Sequence, residues 1–294
     1  MKIPRIFTNW CIHNRILPLY AVITIWGAQA QADTEVYLST LTILEDGLIL
    51  GNPENISENP GYDNQPAFDP VTGILYYARS RDGQTDIAWM DLESGHSGWY
   101  SDTPGRSEYS PLRVPGTESI SAIGLDTTGV QLLYSYSGNH SEILIPDLKV
   151  GYHLWVDADV LVCTVLIEDR MDLVMIQPEG VQMRLENNVG RSLHKIPGRN
   201  QVSYTKPVDS GFKIYLLDLE TLKSSELTSL PEGVQDVCWL PDGSLLCGGN
   251  GVLQRYFLNT DKNWQVAYRF KSDFGTISRL ALNQSGTLLA LVVE

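Results

Sequence analysis

The stretch "YDNQPAFDPVTGILYYARSRDGQTDIAWMDLESG", Tyr62 to Gly95, turns back on itself three times. An apolar run reaches a turn at Gly73, "ILYYA" follows, Asp82-Gly83 makes a second turn, "DIAWM" a third run, and Glu93-Ser94-Gly95 closes it. Short β-prone runs joined by Asp-Gly turns read as an antiparallel meander. A single meander is too small to bury a core of its own, so a structural unit of this kind has to recur along the chain.

It does recur. "QDVCWLPDGSLLCGG" (Gln235 to Gly249) and "SRLALNQSGTLLALVV" (Ser278 to Val293) repeat its opening, and weaker copies start near Glu108, Tyr152 and Arg191. Taking Gln65, Ser110, His153, His194, Asp236 and Ser278 as equivalent gives spacings of 45, 43, 41, 42 and 42 residues. A period of about 40 to 45 with four short strands per unit is the pattern of a β-propeller blade. Near-continuous apolar runs such as "ILYYA", "LVCTVLI" and "LLALVV" fit strands covered on both faces by neighbouring blades. The fold expected is all-β, a six-bladed β-propeller. The sixth copy ends at Glu294 after two strands, while "TEVYLSTLTILEDGLILGNPENIS" (Thr34 to Ser57) offers two strands that belong to no other copy. These N-terminal strands are expected to complete the C-terminal blade and close the ring, removing exposed strand edges.

Residues 1 to 32 read differently. Lys2, Arg5 and Arg15 precede the apolar "ILPLYAVITIWGA", and Ala30-Gln31-Ala32 follows, an arrangement expected of a signal peptide cleaved before Asp33. The remaining 33 to 294 is then a single propeller domain in the periplasm or secreted, with no membrane insertion after cleavage. Cleavage takes away three of 21 basic residues and none of 35 acidic ones, leaving 18 minus 35, or −17. A chain this acidic is unsuited to nucleic acid, which needs clustered Lys and Arg. Three cysteines would remain, too few for a disulfide scaffold. Cys238 and Cys247 flank one turn and read either as a cross-strand bridge or, preferably, as buried thiols.

The residues carry a resemblance. "QPAFDPVTGILYYARSRDGQTDIAWMDLESG" and "WLPDGSLLCGG" resemble the WD40-like repeats of the TolB-like propellers, six-bladed bacterial envelope proteins. Phe68-Asp69-Pro70 with Gly73, Trp239-Leu240-Pro241-Asp242-Gly243 and Asp86-Ile87-Ala88-Trp89 match the repeat. The resemblance implies the fold and an envelope setting. TolB carries an α/β domain ahead of its propeller for which this sequence has no space, so its role in the Tol-Pal system is not carried over.

No G-x-S-x-G, H-E-x-x-H, C-x-x-C or Gly-rich phosphate loop is present. The Asp-rich turns read as turn chemistry rather than calcium ligands, and Tyr62, Tyr109, Tyr152, Trp155 and Trp239 as blade packing. His96 and His140 are expected in solvent. His153 and His194 stand where innermost strands begin, at the mouth of the central channel. Gln65, Tyr109, His153, Arg191, His194 and Asp236 are therefore the candidate ligand-binding residues. His153, His194 and Asp236 would suit Zn²⁺ or a similar divalent metal ion, whose water could act as nucleophile or base; otherwise each side chain bonds a neighbouring blade and no cofactor is involved. The expected function is a non-catalytic, monomeric binding module of the bacterial envelope, holding a protein or glycan partner at the channel-mouth loops. The alternative is an axial-site enzyme, a metal-assisted lyase or hydrolase acting on an acidic sugar or small ester.

Overall fold

A computed structural model of the chain describes residues 33–45, 47–138 and 140–294; the expected signal peptide lies outside the described residues. The described chain forms six antiparallel sheets. Blades one to five span residues 63–99, 106–145, 150–186, 193–229 and 238–269, each with four strands in sequence order from the axis outwards. Their second strands are buried on both faces, as at Leu75–Ala78 and Leu161–Val165, because each blade is sandwiched between two others. One apolar cluster fills each gap between blades, for example Leu240, Leu246, Leu253, Leu280 and Leu289 between blades five and six.

The sixth blade takes strands from both ends of the chain. Ile277–Leu282 lies innermost, Leu288–Val293 next, then Glu35–Leu44, and Gly47–Leu50 outermost. Val36 stands opposite Val292 and Leu38 opposite Ala290, so the N-terminal strand continues the sheet that the C-terminal strand begins. The ring is closed as expected. The final seam, between blades six and one, has a small apolar cluster of Val36, Tyr77 and Ala88. Hydrogen bonds supplement it: Arg79 Nη2 donates to Ser57 O (2.8 Å), Asn59 Nδ2 to Ser80 O (2.8 Å), and Thr34 Oγ1 to Asp63 O (3.0 Å).

Two questions of local chemistry are answered by the register. Cys238 pairs with Leu246, not Cys247. The two thiols therefore point to opposite faces of blade five, one into each flanking core, and both are free. Of the Asp-rich turns at Asp82-Gly83, Asp157-Ala158-Asp159 and Asp242-Gly243, Asp157 accepts hydrogen bonds from Asp159 and Val160 and Asp242 from Ser244, while Asp82 takes up the left-handed conformation (φ +49°) in its own turn. That is the turn chemistry expected, with Gly243 supplying the left-handed conformation (φ +80°) beside Asp242.

Candidate functional site at the channel

Each innermost strand ends in a hairpin whose first residue donates its N–H across the turn: Asp69, Val114, Val156, Ile196, Leu240 and Asn283. Stepping back four residues from each gives Gln65, Ser110, Tyr152, Ser192, Asp236 and Arg279 at one level; all but Ser192 line a cavity of the channel, where His194 stands in blade four. The repeat spacing in the sequence predicts His153, His194 and Ser278 at this level in blades three, four and six. By the hairpin count these fall one, two and one residues away, although His153 and His194 themselves line the cavity. Pairing in the first strands is irregular, with register shifts at Val150/Tyr152 in blade three and Ile277/Arg279 in blade six, whereas blade four pairs without a shift.

The channel holds two cavities, of about 110 Å³ and about 310 Å³. Arg191, Asp236, Arg279 and Leu280 line both. Arg191 reaches from blade four to blade six, where Nη2 donates to Ser278 O at 2.9 Å. Arg279 crosses the axis in the other direction, from blade six to blade three. Its Nη2 donates to the Tyr152 hydroxyl at 3.3 Å, and its guanidinium lies 5.3 Å from the Tyr152 ring centroid. The Nε of each arginine is buried and finds no hydrogen-bond partner among the described residues.

Electrostatics fix the charge state of this cluster. Burial raises the Asp236 carboxyl, but His194, Arg279 and Arg191 outweigh it and hold the group down at about 2. Burial and the neighbouring Arg279 both push Arg191 below its ordinary value. Arg279 meets the same cost of burial, yet Tyr152 and Asp236 raise it. Burial lifts the Tyr62 hydroxyl to about 12 against the pull of Arg279, so Tyr62 remains a neutral donor. At neutral pH the channel therefore carries two guanidinium groups and one carboxylate whose charges do not change.

The structure brings five of the six sequence-predicted residues to the smaller cavity: Gln65, His153, Arg191, His194 and Asp236. Tyr109 lines a neighbouring groove with Tyr62, which it meets edge-on with ring centroids 6.0 Å apart. Besides Arg191, two of the five bind blade two to its neighbours. Gln65 Oε1 accepts from Ser110 N of blade two (2.7 Å), and His153 Nε2 lies 2.8 Å from Ser121 Oγ of the same blade. Burial pushes the His153 imidazole down to about 3, so it stays neutral. His194 Nε2 lies 3.0 Å from Ser192 Oγ and 3.6 Å from Asp236 Oδ1. Among the described residues no three His, Cys, Asp or Glu side chains are grouped to hold a metal ion: His194 and Asp236 meet, while His153 is turned to Ser121. Trp155 and Trp239 pack in blade cores and donate from Nε1 to Ser121 and Ser203 of the preceding blade, as the packing reading expects. Tyr152 departs from that reading and lines the channel cavity, while Tyr62 lines the neighbouring groove. His96 and His140 are exposed.

Arg279 is the functional side chain that sequence reasoning misses. It sits in "SRLAL", one residue after the serine taken as the repeat position, and the shift at Ile277/Arg279 is invisible in residue spacing.

No family model matches the chain, and no curated protein matches it. Solved structures do. A TolB candidate from Agrobacterium tumefaciens superposes with a TM-score of 0.67 at 11% identity, over 89% of this chain and 99% of that one. TolB from Acinetobacter baumannii gives 0.58 at 14% identity over 80% of this chain, which spans only 65% of the length of that TolB. A gluconolactonase from Xanthomonas campestris gives 0.63 at 12% identity, over 90% of this chain and 97% of that one. At these identities the likeness is one of fold, and the fold is that of TolB and the related six-bladed propellers.

Proposed function

We propose that the chain is an exported, monomeric binding module of the bacterial envelope, which holds a protein or glycan partner at the mouth of its channel without transforming it. The observation that carries this reading is the fixed charge of the Arg191, Asp236 and Arg279 cluster. Recognition benefits from charges already in place, whereas general acid–base catalysis needs a group that exchanges protons near the working pH. Asp236 at about 2 and His153 at about 3 both lie far from neutrality. The export reading draws on the basic, apolar, small-residue order of residues 1 to 32. No helix among the described residues is long and apolar enough to cross a membrane.

The test compares the immobilised protein with an Arg279→Ala variant of matched melting temperature, both incubated with envelope extract. The wild type is expected to retain a partner that the variant loses. Equal retention by both, or none by either, would put the function elsewhere.

A further inference from the structure

Arg191 and Arg279 enter the channel from blades four and six and share the wall between its two cavities with Asp236. We propose that the space between the two guanidinium groups is a binding site for a monoanionic carboxylate, a ligand class that refines the channel-mouth reading and rests on it.

The argument begins with donors. A guanidinium carries five N–H donors in a planar fork matched to a carboxylate. Arg191 directs one of them to Ser278 O and Arg279 one to the Tyr152 hydroxyl, and the Nε of both is buried without a partner among the described residues. Burying charged donors without partners is costly. An anion between them would satisfy the open forks and relieve the repulsion through which Arg279 lowers the pKa of Arg191.

Charge selects the anion. Among the groups whose charge is constant, two guanidinium groups against the Asp236 carboxylate leave a surplus of +1, which one carboxylate neutralises; His194, 3.6 Å from Asp236, adds positive charge only when protonated. A dianionic phosphate or sulfate would leave surplus negative charge beside Asp236, in a chain whose overall charge of −14 already disfavours anions. Size agrees. The smaller cavity, about 110 Å³, admits a carboxylate head. The larger, about 310 Å³, is lined by polar groups including Asn250 and Thr276 and has room for the body of the ligand.

The experiment is calorimetric titration of the protein at pH 7 with acetate, D-galacturonate and N-acetylalanine, each beside its neutral counterpart: acetamide, D-galactose and N-acetylalaninamide. Inorganic phosphate is a further arm. At least one carboxylate is expected to bind one-to-one, at least about tenfold more tightly than its neutral counterpart and than phosphate. Comparing the sugar acid with the peptide terminus identifies the source of the carboxylate. Arg279→Gln should weaken that binding about tenfold or more. Asp236→Asn should tighten it, because it removes the carboxylate that competes for both arginines; this second arm stands even where Arg279→Gln fails to fold. Equal binding of the neutral counterpart, preference for phosphate, absence of binding by every carboxylate, or unchanged or weaker binding by Asp236→Asn would each overturn the proposal. If no carboxylate binds yet Arg279→Ala still loses its envelope partner, the ligand class fails and the binding-module reading survives.

Discussion

At the scale of single residues, the clearest titration lies away from the channel. Glu108 is fully enclosed between blades one and two. It accepts hydrogen bonds from Ser101 Oγ (3.1 Å), the Tyr136 hydroxyl (3.1 Å) and Arg106 Nε (3.2 Å). Burial first, then the adjacent Asp86 carboxyl, lifts its pKa from 4.5 to about 7. The folded protein thus holds a proton here that the unfolded chain releases near 4.5. The stability linked to that proton is fully present below about 4.5 and is lost as pH rises to about 7, up to about 3 kcal/mol. Glu108→Gln keeps the shape without the ionisation. Melting curves should show the variant gaining on the wild type from pH 5 to pH 8; a constant gap, or one that narrows, would show that Glu108 does not hold this proton. The same scale marks the limit of sequence reading. Asp236 and Gln65 stand at the channel level where counting along the repeat puts them, whereas in blade six the count stops at Ser278, one residue short of Arg279, the side chain that crosses the channel.

At the scale of elements, ring closure was legible from an unpartnered pair of strands at one end of the chain and a two-strand copy at the other. Its clamp was not. Arg255 lies in "VLQRY", a stretch that looks like ordinary strand. It is buried at 2% exposure and donates from Nη1 to Leu44 O (2.7 Å) and Gly47 O (3.3 Å), from Nε to Ser244 Oγ (2.9 Å), and from Nη2 to Asp242. Blade five thereby holds the N-terminal hairpin of blade six. This partnership joins residues some 210 positions apart, so no local pattern announces it. Arg255→Ala should leave both carbonyls and Asp242 without their partner and cost about 3 kcal/mol. Hydrogen exchange should quicken first in residues 41–50. Loss of stability with unchanged exchange there would assign Arg255 some other role.

At the scale of the whole molecule, a strongly acidic propeller concentrates two arginines at its axis. The architecture was readable because it rests on repetition, which survives variation in any one blade. The axial cluster was only partly readable, because side chains from blades three, four, five and six meet across the channel, with register shifts setting which residue faces inwards. The central claim is that this channel mouth, rather than the outer rim, meets the partner. A photo-reactive amino acid placed at Gln235, exposed on the channel mouth, and separately at Val181, exposed on the outer side of blade three, tests it in intact envelopes. The account predicts a discrete cross-linked product from position 235 and none from 181. A product from 181 with none from 235 would contradict it.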